Sequence, residues 1–193
     1  MSYKKQMMVI LSAPSGGGKT SIAKRLLELD KNLSLSISAT TRQRRSKEKE
    51  SVDYFFKSKG EFEKMIESDQ FLEYATIHHN NYGTPLEYVE NRMREGFDIL
   101  FDIDFQGAYQ IMEKAQAKVV SIFILPPDIN ELKKRLEERS QDSEDEINKR
   151  FAIAEEEMKH AKSYDHIVIN DDFDKAVSEI QTIIEIEREK CKE

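Results

Sequence analysis

Three consecutive glycines, Gly16, Gly17 and Gly18, precede Lys19 and Thr20 in the stretch Ala13-Pro14-Ser15-Gly16-Gly17-Gly18-Lys19-Thr20. An ammonium, a hydroxyl and several backbone N–H groups curled toward one point suit a chain of phosphates. An apolar run, Met7 to Leu11, comes before it. Ser21-Ile22-Ala23-Lys24-Arg25-Leu26-Leu27 comes after, with apolar residues at helical spacing. Strand, glycine-rich turn and Lys-Thr opening a helix is the context that a P-loop requires. Lys19 would reach the β- and γ-phosphates, and the Thr20 hydroxyl would ligate Mg²⁺. The pattern G-x-x-x-x-G-K-[ST] asks for glycine where this chain has Ala13, and a methyl fits there if the residue keeps a negative φ.

A second anion site is suggested further along. Arg42, Arg44 and Arg45 fall within Ser38-Ala39-Thr40-Thr41-Arg42-Gln43-Arg44-Arg45, followed by Lys47, Lys49 and Asp53-Tyr54. Guanidinium forks match phosphate oxygens and keep their charge. The alternative is a solvated loop laced by ion pairs to Glu48 and Glu50. Glu73 sits among strand-forming apolar residues, where a carboxylate is costly without a partner. The adjacent N1–H and N2–H₂ donors of guanine would satisfy it, whereas an outward-facing Glu on a half-exposed strand is equally compatible with the pattern. Thr84-Pro85-Leu86-Glu87 has the form of a capping box, which makes Thr84 an N-cap. His78 and His79 lack metal-ligand spacing and are assigned to the surface.

Asp102 and Asp104 close the apolar run that begins at Phe97, where open α/β sheets bind ligands; they alternate with Ile103, which predicts one shared strand face, and could approach Mg²⁺ through water. Strand-end acids or a helix cap are the plainer reading. Arg135, Arg139 and Arg150 flank the polar loop 140–146, with Ser143-x-x-Glu146 as a further capping box. They either close over a triphosphate as a lid or pair with Glu137, Glu138 and Glu146, and the pattern slightly favours pairing. Asn170-Asp171-Asp172 either touches a nucleobase or caps the next helix, with capping preferred.

These residues must be carried by a regular frame. Strand-like runs at 7–12, 97–103, 119–125 and 166–170 alternate with helical stretches at 19–30, 105–114, 128–139, 143–162 and 174–189. That alternation predicts a parallel α/β sheet. Between 34 and 90 the rhythm breaks into short strands (35–41, 54–56, 71–77) with little helix, and this region reads as an insertion with its own site. The chain has 193 residues, enough for one domain with a real core. Net charge is −7, which argues against general nucleic-acid binding. The single cysteine, Cys191, excludes an internal disulfide and fits a reducing, cytoplasmic setting. Lys4 and Lys5 before 7–11 resemble the start of a signal peptide, but the apolar run is too short, and none approaches membrane-spanning length.

Taken in order, these stretches resemble the guanylate kinases, P-loop enzymes that pass a phosphoryl group from ATP to GMP. The resemblance rests on the 14–20 loop, Ser38-x-Thr40-Thr41-Arg42 with Arg45, Asp53-Tyr54, Phe71-Leu72-Glu73-Tyr74 and Tyr82-Gly83-Thr84. Asp102-Ile103-Asp104-x-Gln106-Gly107 and Ile169-Asn170-Asp171-Asp172 complete it. It implies an α/β fold: a three-layer P-loop NTPase core (1–33 and 91–193, with a helical lid at about 126–156) and a GMP-binding insertion (34–90). It also implies that Arg42, Arg45, Tyr54 and Tyr82 hold the GMP phosphate, and that Ser38, Glu73 and Thr84 read guanine with Asp102 nearby. Residues 13–20 and Asn170 would bind ATP, with Asn170 near adenine. Arg135, Arg139 and Arg150 would act beside Lys19 and Arg42 in catalysis. The expected partners are GMP and Mg-ATP, on a monomer or homodimer. Thr84 stands where serine is common in the family. A catalytically lost scaffold would have an eroded loop, which this chain lacks. A kinase for another nucleoside monophosphate remains a rival, and a regulatory GTPase would need an Asn-Lys-x-Asp motif that does not occur.

Overall fold

The computed structural model describes residues 5–77, 79–139 and 144–191. Strand β1 (Met7–Ser12) is buried at every position. A strand without a wet face belongs inside a parallel sheet covered on both sides. It lies at the centre of one with β2 (Leu33–Leu35), β7 (Asp98–Asp102), β8 (Lys118–Leu125) and β9 (His166–Ile169), in the order β2-β7-β1-β8-β9. All four pairings are parallel. Because successive side chains alternate, Met7, Val9 and Leu11 face helices α1 (Lys19–Leu29) and α7 (Phe173–Lys190), whose Ile22, Leu26, Ile180 and Ile184 complete that layer. Met8 and Ile10 face α3 (Leu86–Arg94) and α4 (Phe105–Lys114) through Val89, Met93, Ala108 and Ile111. The result is the parallel α/β sheet that the alternating pattern predicts, with a helical layer on each face.

A second, four-stranded sheet contains β3 (Ala39–Thr40), β4 (Phe55–Phe56), β5 (Phe71–Ile77) and β6 (Asn80–Pro85), in the order β4-β3-β6-β5. Phe62 of α2 (Lys59–Glu67) seals it, stacked on Phe71 with ring centroids 4.4 Å apart. Helix α2 corrects the expectation of little helix here. Its signal is Ser58-x-x-Glu61, a reciprocal capping box in which Ser58 accepts from the Glu61 N–H and Glu61 accepts from the Ser58 N–H. The expected strand over 35–41 is two pieces. Leu33–Leu35 pairs with the core strand β7, and the chain re-enters a sheet only at Ala39. Thr84 is not an N-cap. It lies in β6, α3 starts after Pro85, and the Thr84 hydroxyl is engaged by Glu73. The tertiary carboxylate outcompetes the local cap.

Helices α5 (Ile129–Arg139) and α6 (Glu144–Met158) form a hairpin whose seam is Leu132, Leu136 and Ala154. The expected helix 143–162 ends in a 3-10 turn, Lys159–Ser163. Ser143 and His78 lie outside the described residues. Among the described residues, no helix is long and apolar enough to cross a membrane.

Candidate active site

The phosphate loop leaves the carboxyl end of β1, at the point where the chain's crossovers change from the β7 side to the β8 side of the sheet. Gly16 and Gly18 take φ of 88° and 92°, which disfavours any side chain there. A Cβ on Gly18 would also come within 2.6 Å of Asn170 Nδ2. Ala13 is not among the positive-φ residues, so the methyl in place of the pattern's glycine is unstrained. Gly18 is the N-cap of α1 and supplies no side-chain cap, which leaves the first amides of the helix facing the loop.

Lys19 and Thr20 begin α1. The Lys19 ammonium donates to the carbonyl of Ile103 at 2.9 Å and pairs with Asp102 Oδ1 at 2.7 Å. It is therefore held at the end of β7, beside the loop. Asp104 does not share the strand face with Asp102. It lies past the strand end and caps α4, accepting from the Gly107 N–H at 3.0 Å. Thr20 is exposed at the helix start. The Thr20 hydroxyl and the half-exposed carboxylates of Asp102 and Asp104 are hard-oxygen donors, the kind Mg²⁺ prefers, so their chemistry fits the ion. No cluster of three or more His, Cys, Asp or Glu side chains forms among the described residues, so water and phosphate oxygens would supply the remaining positions.

Asn170 splits the two readings of its motif. Its side chain donates to the Gly17 carbonyl at 2.9 Å and braces the loop, while Asp172 caps α7 by accepting from the Lys175 N–H at 3.0 Å. Arg135 donates to Glu131 at 3.0 Å and to the Asn170 carbonyl at 3.1 Å. Arg135 and Asn170, with Gly16, Gly18, Ser21, Glu138, Asp171 and Phe173, line a cavity of about 390 Å³ beside the loop. Arg150 approaches from α6, with Nη2 3.4 Å from Ser15 Oγ. Arg139 closes α5, and its side chain lies outside the described residues.

Across from this loop, the second sheet presents the other predicted residues. Glu73 on β5 is paired in register with Thr84 on β6 and is only 6% exposed. The Thr84 hydroxyl donates to Glu73 Oε1 at 2.6 Å. Burial pushes the Glu73 carboxyl up against the lowering effect of that bond, and the charge of Asp104 adds to the rise. A Cβ on Gly107 would sit 3.1 Å from Glu73 Oε2, so the glycine of α4 makes room for the carboxylate. That approach ties the second sheet to the helix that follows Asp102. Ser38 immediately precedes β3, and its carbonyl accepts from Phe55 N–H at 2.9 Å.

The arginine loop confirms neither of its two readings at the expense of the other. Arg42 lies over the Tyr54 ring, 5.5 Å from its centroid, and Tyr54 meets Tyr82 edge-on at 6.1 Å. Burial raises the Tyr54 hydroxyl, which keeps it a neutral donor. Arg42 also pairs with Glu48 at 2.7 Å, and Glu48 Oε2 accepts from the Arg45 N–H at 2.8 Å. The hydrogen bond from Arg42 holds Glu48 below the usual carboxylate range. Glu48 was visible in the sequence only as a bland ion-pair partner, yet it sets the shape of the Arg42–Arg45 turn. Glu48→Ala is expected to raise severalfold the KM for a substrate whose phosphate sits at this turn, while the KM for one held by the phosphate loop stays unchanged. Steady-state kinetics in both substrates checks this.

A phosphate loop after the central strand of a parallel sheet, with a second sheet whose loop carries Arg42 and Arg45, is the arrangement of a P-loop kinase. Sequence comparison narrows this class. A profile of guanylate kinases matches residues 5–187, so the chain belongs to the guanylate kinase family. It is 52% identical over 190 residues to the guanylate kinase of Rickettsia bellii, covering 98% of this chain and 99% of that one. The crystal structure of guanylate kinase from Anaplasma phagocytophilum is similar with a TM-score of 0.74 at 33% identity, over 97% of this chain and 89% of that one. The SH3-kinase fragment of tight junction protein 3 shares the fold alone, at 14% identity and a TM-score of 0.52 over 95% of this chain and 58% of that one.

Proposed function

We propose that the chain transfers the γ-phosphoryl group of Mg-ATP to GMP, giving ADP and GDP, in the cytoplasm. The observation that carries the acceptor assignment is the buried Glu73 carboxylate. One oxygen receives the Thr84 hydroxyl, and the carboxylate is acceptor-only when charged. A guanine edge offers it two adjacent donors, and adenine offers no such pair. Arg42, Arg45, Tyr54 and Tyr82 would receive the acceptor phosphate, with Ser38 and Asp102 alongside the nucleoside.

On the donor side, residues 13–20 would cradle the triphosphate, and Lys19 would exchange its Asp102 partner for phosphate oxygens. Asn170 braces the loop at the mouth of the cavity that would take adenine. Two polyanions repel, so the chemistry is mostly alignment and charge neutralisation of a loose transition state. Lys19, Arg42, Arg135, Arg139 and Arg150 would supply the fixed positive charge. Thr20, with Asp102 or Asp104 through water, would hold Mg²⁺, whose charge offsets that of the phosphates when bound. A phosphate oxygen is already a nucleophile, and no general base is required. Titration calorimetry tests the base assignment: GMP is expected to bind the substrate-free chain at least about tenfold more tightly than AMP, a difference of ~1.4 kcal/mol. Equal affinities would overturn it.

A further inference from the structure

One contact joins residues 142 positions apart: the Ser15 backbone N–H donates to Glu157 Oε2 at 2.9 Å. Glu157 lies seven residues after Arg150 on α6, about two turns, so both project from one face of the helix. Arg150 reaches the hydroxyl of the same Ser15. The next residue of the loop is gripped by the other helix of the hairpin. A Cβ at Gly16 would lie 3.1 Å from Leu132 and 3.2 Å from Leu136. The α5–α6 hairpin thus meets the phosphate loop twice, where Leu132 and Leu136 leave room at Gly16 for no side chain and where a carboxylate takes the Ser15 N–H.

We propose that Glu157 is a positioning residue for phosphoryl transfer. It fixes the Ser15 amide, and so holds the loop and the lid helix in the one arrangement that places Arg150 over the triphosphate. Electrostatics alone would disfavour a carboxylate here, since it repels the phosphates the loop binds. Its benefit is as an acceptor. A loop N–H left without a partner costs free energy and lets the loop turn. Glu157 acts through Ser15 and Arg150 and does not touch substrate. The assignment rests on the reading of residues 13–20 as the ATP site.

The test compares Glu157→Ala and Glu157→Gln, with kcat, both KM values, ATP affinity by calorimetry and the unfolding midpoint. Glu157→Ala is expected to raise the KM for ATP and lower kcat, with kcat/KM for ATP falling on the order of ten- to a hundredfold. The KM for GMP should stay within about twofold, since uniform binding on that side is untouched. Glu157→Gln, which keeps an oxygen acceptor, should restore native behaviour. Native kinetics in Glu157→Ala would overturn the proposal. So would equal rises in both KM values, or a Gln variant as impaired as the Ala variant. A native chain that binds ATP but phosphorylates no GMP would overturn the functional reading instead. The ATP affinities of the two variants would still decide the role of Glu157.

Discussion

Lys19→Ala is expected to lower kcat for GMP phosphorylation by on the order of 10²–10³-fold or more, the scale of losing one fixed charge aimed at a developing anion. The ammonium is held by Asp102 and by the Ile103 carbonyl, with side-chain exposures of 20% for Lys19 and 21% for Asp102. Both groups keep partial access to water, so the pair contributes little to stability. The variant should therefore fold, which circular dichroism and an unchanged GMP affinity would verify. The loss should appear in kcat, because the interaction strengthens as charge moves onto the transferred group. An unchanged kcat would contradict the placement of the phosphates at this loop.

Glu73→Gln should act on the other substrate. GMP is expected to bind more weakly by about 1–3 kcal/mol, the cost of losing a paired contact to a base edge, with ATP affinity unaffected. The geometry explains why an isosteric change is severe. Thr84 donates to Oε1, so a glutamine would keep its carbonyl there and turn its NH₂ toward the donors of guanine. A pH series adds an independent signature. Burial raises the Glu73 carboxyl, so native GMP affinity should begin to fall at a higher pH than an ordinary carboxylate would dictate. The glutamine variant should lack that limb. Calorimetry with both nucleotides across the pH range checks both statements. Equal weakening of GMP and ATP would count against Glu73 as the guanine reader.

The sequence made local chemistry legible and left contacts between distant segments hidden. The phosphate loop could be read because its glycines, lysine and flanking periodicities are contiguous, and the core strands because they carry long apolar runs. Asn170 shows the limit. Its motif announced a cap, which Asp172 supplies, while Asn170 itself crosses to Gly17. Thr84 shows the same limit, since a local capping pattern carries no trace of a strand partner eleven residues away. Helix α2 carries a local signal in Ser58 and Glu61, set in a region where short strands dominate the pattern. Glu157 had a weaker signal, its spacing from Arg150. Nothing in the order of residues indicates that Ser15 is its partner.

The central claim joins a P-loop to a guanine-reading pocket in one active site. A coupled assay of ADP release from Mg-ATP, with GMP, AMP, CMP and UMP offered separately, tests both halves together. Strong turnover with GMP alone is the expected result. Preference for another acceptor, or GMP binding without turnover, would contradict it.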